Sequence, residues 1–254
     1  MSAMLNIQNL SKTFGGVKAV QNVDLDVSKG SIHSVIGPNG AGKTTLLNLM
    51  TGIYTPTTGS MKLNDESVDG LTPDELARRG MSRTFQNLQI CMNMSAIENV
   101  MVGAHLRLNY SLLAGIFRLP ALRKADSACR DEARELMDFV GVGKYVDYAA
   151  NQMPYGALKR LEIGRAMAAR PSILLLDEPA AGLNHTETGE IEALIAKVAD
   201  SGVTIVLVEH DMKLVMNLST RITVLDYGKK LAEGTPAEVR ANPEVIAAYL
   251  GHPA

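Results

Sequence analysis

The 254-residue chain is 46% hydrophobic and 20% charged, a balance that suits one large domain or two lobes on a shared core and excludes disorder as the main state. Its 25 Lys and Arg against 27 Asp and Glu give a net charge of −2, and with no Trp and four Phe it lacks the basic footprint and the stacking rings of a nucleic-acid binder. The longest uncharged run, Thr44 to Met61, is broken by Gly52, Pro56 and Gly59 and cannot serve as a transmembrane helix. Met1 to Gln8 has no basic flank leading into an apolar stretch, so no secretion signal and a cytoplasmic protein are expected. Cys91 and Cys129 belong to no Cys-x-x-Cys pair or His cluster, which predicts buried free thiols rather than a disulfide or a zinc site.

Leu5, Ile7 and Leu10, then Val23, Leu25 and Val27, follow the period of half-buried antiparallel strands, and Lys29-Gly30 turns the chain. Ser31 to Ile36 reads as a buried strand, Gly37 to Gly42 as a glycine-rich loop, and Lys43 to Met50 as a helix with its apolar face at Leu46, Leu47 and Met50. Thr72-Pro73-Asp74-Glu75 carries an N-cap, a first-turn proline and the closing acid of a capping box. From Ser95 to Ala169 the pattern is mostly helical, with an amphipathic helix over Ala121 to Val140.

Ile173 to Leu176 and Val203 to Val208 are continuous apolar runs of the kind found in parallel sheets covered on both faces, with a helix over Glu187 to Ala199 between them. This alternation predicts right-handed crossovers in a doubly wound α/β core, with sites at the carboxyl ends of the strands. A helix over Asp211 to Leu218, strands over Arg221 to Leu225 and Lys229 to Ala232, and helices starting near Thr235-Pro236 and Asn242-Pro243 complete the chain. The expected division is a catalytic lobe over about 1–88 and 165–235, a helical lobe over about 89–164 and a helical tail over about 236–254.

Gly37-Pro38-Asn39-Gly40-Ala41-Gly42-Lys43-Thr44-Thr45 has the spacing of a phosphate-binding loop: backbone N–H groups cradle phosphates, Lys43 neutralises the β and γ oxygens, and Thr44 meets Mg²⁺. Its place between a predicted strand and a predicted helix is the context this chemistry requires. Further on, the strand Ile173 to Leu176 runs straight into Asp177 and Glu178. There Asp177 can hold Mg²⁺ and Glu178 can polarise an attacking water. His210 follows Val208-Glu209 at the end of another buried strand, where an imidazole can reach a γ-phosphate. His33, His105, His185 and His252 have no such placement and read as ordinary surface or core histidines.

This set resembles the nucleotide-binding domain of ABC transporters along essentially the whole chain. The resemblance implies a P-loop NTPase core with a parallel sheet, an N-terminal antiparallel β subdomain and a helical signature lobe. It also implies that Phe14 stacks on adenine, that Gln86 in Thr84-Phe85-Gln86-Asn87 enters the helical lobe and senses Mg²⁺, and that His210 is the switch histidine. The signature segment falls on Pro154, Tyr155, Gly156 and Ala157, where only Gly156 fits the family pattern; Pro154 has neither the hydroxyl nor the N–H of the usual serine. The turn Ala181-Gly182-Leu183-Asn184 is a second departure, since the wider family has Ser-Ala-Leu-Asp.

Tyr155-Gly156, Arg160 to Ile163, Glu178 to Asn184 and Val208 to Met212, with a helical-lobe insert over about His105 to Lys124, look like the LivG-type ATPases of bacterial branched-chain amino acid importers. That resemblance implies ATP and Mg²⁺ as cofactors and a second ABC ATPase subunit, from a different chain, meeting this one head to tail. It also implies two membrane permease subunits, an external solute-binding protein reached indirectly, and a place at the cytoplasmic face of the inner membrane. A soluble ABC-type ATPase acting as a scaffold or assembly factor is the alternative from another class. A GTPase is disfavoured because the chain has no Asn-Lys-x-Asp guanine reader.

Overall fold

The computed structural model describes residues 3 to 107 and 120 to 250. The chain opens with the long strands β1 (Ala3–Phe14) and β2 (Val17–Ser28), which pair antiparallel. Leu5 and Ile7 share one face, and Leu10 returns to it only because Asn9 takes a left-handed backbone, φ 50°, where the register with β2 shifts. β4 (Thr58–Leu63) joins the other edge of β1, and the turn to β5 (Glu66–Ser67) is made by Asn64 and Asp65, both with positive φ. The antiparallel sheet has the order β2-β1-β4-β5.

The second sheet runs β10-β9-β3-β8-β7-β6. Its members are β3 (Ile32–Ile36), β6 (Met81–Arg83), β7 (Ile173–Asp177), β8 (Thr204–Val208), β9 (Arg221–Asp226) and β10 (Lys229–Gly234). All neighbours are parallel except β10, which returns antiparallel along β9. The expected parallel core is therefore present, with an antiparallel edge added.

Alternate residues of the central strands feed two different cores, as a pleat requires. Leu174, Leu176, Ile205 and Leu207 pack on the helical side, whereas Ile173, Leu175, Val206 and Val208 face the antiparallel sheet and α1 (Lys43–Met50). The helical side carries α3 (Ala96–Gly103), α4 (Pro120–Phe139), α5 (Tyr155–Met167) and α6 (His185–Asp200). Val100, Met137 and Leu161 from three of these helices share one buried cluster with the sheet, so the helices and the sheet are joined by continuous apolar packing. Each such fully buried side chain contributes about 1.5–3 kcal/mol.

α2 (Pro73–Arg78) begins as its capping box predicts, with Glu75 accepting from the Thr72 N–H at 2.8 Å. Beyond β8 come α7 (Met212–Leu218), α8 (Pro236–Ala241) and α9 (Pro243–Leu250), and Val215, Val239 and Val245 cover Ile36 at the end of β3. Cys129 is buried but Cys91 is exposed, contrary to expectation. The reason is local: buried Asn99 accepts from the Cys91 N–H at 2.8 Å and donates to the Cys91 and Ser95 carbonyls, which holds this loop at the rim of the helices. Most of the insert expected over His105 to Lys124, and His252, lie outside the described residues.

Candidate active site

The parallel order β3-β8-β7-β6 sets four loops side by side at one sheet edge. β3 ends in the phosphate loop, β8 in Glu209-His210, β7 in Asp177-Glu178, and β6 leads to Gln86. Gly37 leaves β3 where a Cβ would lie 2.1 Å from the Leu225 carbonyl oxygen, so the backbone passes another strand too closely for any side chain. Gly42, at φ 99°, caps α1 without a side chain, and no acidic residue occupies the first turn. The N–H groups of that turn are thus left for an anion, with the helix dipole behind them.

Lys43 is buried against this loop and donates to the Gly37 carbonyl at 2.7 Å and the Pro38 carbonyl at 3.1 Å. Burial lowers its pKa from the ordinary lysine value, while Glu178 and Asp177 pull the other way. A cleft of about 600 Å³ runs over the loop from Asn39 to Thr45, with Gln86 and Glu178 on its wall and Val17 and Tyr227 at its edge.

Glu178 is the centre of the acid cluster. Its backbone is left-handed, φ 48°, a conformation that costs a non-glycine residue about 1–3 kcal/mol and marks a position held by its surroundings. Its N–H donates to the Val208 carbonyl at 2.8 Å. Gln86 Nε2 donates to Glu178 Oε2 at 2.8 Å, and His210 Nδ1 stands 3.7 Å from Glu178 Oε1. The His210 side chain is 62% exposed against 18% for Glu178, and Gln86 is exposed as well, so Glu178 is the covered member of the trio.

Several residues that hold this geometry were not singled out from the sequence. Glu209, which is buried, accepts from the N–H groups of Ala180 at 2.8 Å and His210 at 3.0 Å, and so ties the β7 loop to the β8 loop. Lys159 of α5 donates to the Gln86 carbonyl at 3.1 Å, Glu162 accepts from the Gln89 N–H at 3.2 Å, and Arg165 donates to the Gln89 carbonyl. Arg83 pairs with Asp177 at 2.8 Å. Buried charges at helical spacing were the signal available for Lys159 and Glu162; nothing in the sequence points Arg83 or Glu209 to a partner.

Phe14 is not brought to the phosphate cleft: it ends β1, is 41% exposed, and packs edge-on against Tyr54 at 5.2 Å with Lys12 over its face. Of the signature segment, Pro154 is the N-cap of α5, Tyr155 is exposed with its ring against Gly182, and Gly156 and Ala157 are buried. Asn184 has a clear local duty, since its Oδ1 accepts from the Thr186 and Glu187 N–H groups and starts α6. Among the described residues no group of three or more His, Cys, Asp or Glu could enclose a metal. The oxygen donors of Thr44, Gln86 and Asp177 suit Mg²⁺ held jointly with nucleotide phosphates rather than by a protein cage.

Residues 20–181, which run from β2 through the phosphate loop and the acid pair, match the ABC transporter family. The chain belongs to that family. It is an ABC ATPase, a nucleotide-binding domain. Residues 229–254 match a second family described as the branched-chain amino acid ATP-binding cassette transporter. The chain is 46% identical over 249 residues to the high-affinity branched-chain amino acid transport ATP-binding protein BraF of Pseudomonas aeruginosa, covering 98% of each. It is 45% identical, with the same coverage, to the corresponding protein LivG of Escherichia coli K12. Among solved structures, a nucleotide-free ATP-binding cassette of an ABC transporter superposes with a TM-score of 0.86 at 29% identity, covering 99% of this chain and 100% of that one. An ADP-bound cassette superposes at 0.85 with 28% identity, covering the same shares of the two chains. The ABC ATPase fold thus extends over nearly the whole chain.

Proposed function

We propose that this ABC ATPase is the ATP-hydrolysing subunit of an importer for branched-chain amino acids, working at the cytoplasmic face of the inner membrane. The observation that carries the hydrolytic part is Glu178, hydrogen-bonded to Gln86 at 2.8 Å with His210 Nδ1 3.7 Å away, beside a phosphate loop whose helix has no side-chain cap. The cargo rests on the C-terminal family match and on the named relatives. Among the described residues no helix is long and apolar enough to cross a membrane, so transport requires permease subunits.

In this reading the N–H groups of Gly40 and of Gly42 to Thr45, with the Lys43 ammonium, bind the phosphate tail, while the Ala41 N–H closes the loop on the Pro38 carbonyl at 3.1 Å. Thr44, Asp177 and Gln86 would hold Mg²⁺ through their oxygens, and the ion would supply positive charge against that developing on the phosphates. Glu178 takes the proton of the attacking water as its oxygen bonds the γ-phosphorus and the bond to ADP breaks. His210 orients the γ-phosphate side of the site. Gln86 would have to release Glu178 to contribute to a metal site, and its backbone, held by Lys159, would link that change to α5. Phe14 remains the proposed stacking ring for the base. A second ABC ATPase from a different chain completes the site head to tail, two permease subunits dock on the helical side, and a solute-binding protein delivers the amino acid. The site that borrows Pro154 to Ala157 is the weaker of the pair.

Glu178→Gln is expected to retain Mg·ATP while turnover falls by about 10²–10⁴-fold, the usual contribution of a placed base. Single-turnover hydrolysis measured alongside ATP binding checks this, and wild-type turnover would remove Glu178 from the chemistry. Co-purification from membranes tests the setting. Recovery with a permease pair supports import, and a soluble complex without one would favour the scaffold reading.

A further inference from the structure

Arg83 has no part in the mechanism above, yet it is among the most constrained side chains near the site. It closes the short strand β6, three residues before Gln86, and its side chain is 7% exposed. Nη2 donates to Asp177 Oδ2 at 2.8 Å. Nη1 donates to Asn48 Oδ1 at 2.6 Å and to Thr51 Oγ1 at 3.1 Å, at the far end of the helix that the phosphate loop begins. The guanidinium also lies 4.8 Å from the centre of the Phe85 ring. One fork thus joins the phosphate-loop helix, the strand-end acid and the stem of the Gln86 loop.

Stability alone is a poor account of this arrangement. A buried ion pair roughly breaks even against apolar side chains of the same volume, and the Arg83 Nε finds no hydrogen-bond partner among the described residues. What a guanidinium adds is direction: its planar fork fixes a carboxylate in a way that neither an ammonium nor a hydrophobe can. With Oδ2 taken, Asp177 Oδ1 has no hydrogen-bond partner among the described residues.

We propose that Arg83 is a positioning residue for the divalent cation, holding one oxygen of Asp177 so that the other is presented to Mg²⁺ in a fixed orientation. The inference rests on the metal role given to Asp177 in the proposed function. It assigns to Arg83 a duty that none of the phosphate-loop or strand-end residues performs.

The test uses the full purified chain loaded with ADP, with Mn²⁺ as the probe read by electron paramagnetic resonance, and ADP affinity in EDTA as the metal-free reference. Arg83→Met should weaken Mn²⁺ binding by about 10–100-fold, as loss of a partner that orients a metal ligand does, with ADP affinity in EDTA unchanged. Arg83→Lys, which keeps the charge but loses the fork, should fall between, and it carries the test if the methionine variant does not fold. Asp177→Asn should show a similar loss, and the double variant should be no worse than Asp177→Asn alone, because the arginine acts through that carboxylate.

Wild-type Mn²⁺ affinity in both arginine variants would overturn the proposal. So would equal losses of ADP affinity with and without metal, which would reduce Arg83 to packing, or losses that add in full to those of Asp177→Asn. If Asp177→Asn itself binds Mn²⁺ normally, the metal role of Asp177 fails and the Arg83 assignment fails with it. Failure of the arginine variants alone leaves Asp177 standing.

Discussion

His33 shows how one side chain carries a pH signature into the fold. It sits in the central strand β3, wholly buried, with Nε2 2.9 Å from the Thr223 hydroxyl. Burial pushes its pKa down from 6.5 to about 4, against an upward pull from Glu233. The folded chain therefore keeps the ring neutral where the unfolded chain takes up a proton. Stability from this group is fully present above about pH 6.5 and is lost as pH falls toward about 4, by roughly 3 kcal/mol over the whole window. His33→Gln should flatten that acid limb, seen as a smaller difference between urea midpoints at pH 5 and pH 7; an unchanged difference would mean that other groups set the slope. At the same scale Glu178 shows the opposite compromise, a strained backbone kept because Val208, Gln86 and His210 hold it from three sides.

At the level of elements, α5 clamps a loop as well as packing on the sheet. Lys159, Glu162 and Arg165 recur every three residues along one side of the helix and reach the backbone of Gln86 and Gln89. Burial raises the pKa of Glu162, while the Gln89 N–H, Lys159 and Arg165 oppose that shift. Glu162→Ala would leave the Gln89 N–H without its acceptor, a loss of about 1–3 kcal/mol for an unsatisfied buried group. The expected outcome in hydrogen exchange is faster labelling over residues 86–89 with protection of α1 retained. Equal loosening of both segments would show that the helix supports the fold generally rather than this loop. The helix caps follow the same economy: Asn184 departs from the family pattern but performs the N-cap duty that its place demands.

For the whole molecule, the decisive feature is that one parallel sheet serves two cores and one site. Alternate residues of β7 and β8 enter the helical side and the antiparallel side, while the strand ends carry Glu178 and His210. Nucleotide bound across those ends should stabilise the chain as a unit. At about 100 times its dissociation constant a ligand adds about 2.7 kcal/mol, or about 5–10 °C in melting temperature for a chain of this size. Lys43→Ala should lose most of that shift. Scanning calorimetry with and without Mg·ATP decides it, and a full shift in the variant would separate Lys43 from nucleotide binding.

Local pattern was enough for much of this. The glycine-rich loop, the apolar runs of β3, β7 and β8, and the caps at Thr72 and Thr235 are legible because each depends on neighbours within a few residues. β4 was not legible, since it opens on Thr58-Gly59-Ser60, which reads as a turn, and β6 is only three residues long. Both are strands because a longer partner, β1 or β7, supplies their hydrogen bonds. The candidate catalytic residues were named from their place at strand ends, but their company was not. Arg83 meets Asp177 across 94 positions of chain and Lys159 meets Gln86 across 73, and the side chains at either end carry no mark of the other. The kind of chemistry can be read along the chain, because a phosphate loop and an acid pair are contiguous strings. Which charges hold that chemistry in place depends on the folding, because a buried ion must be matched by whatever is brought within about 3 Å of it.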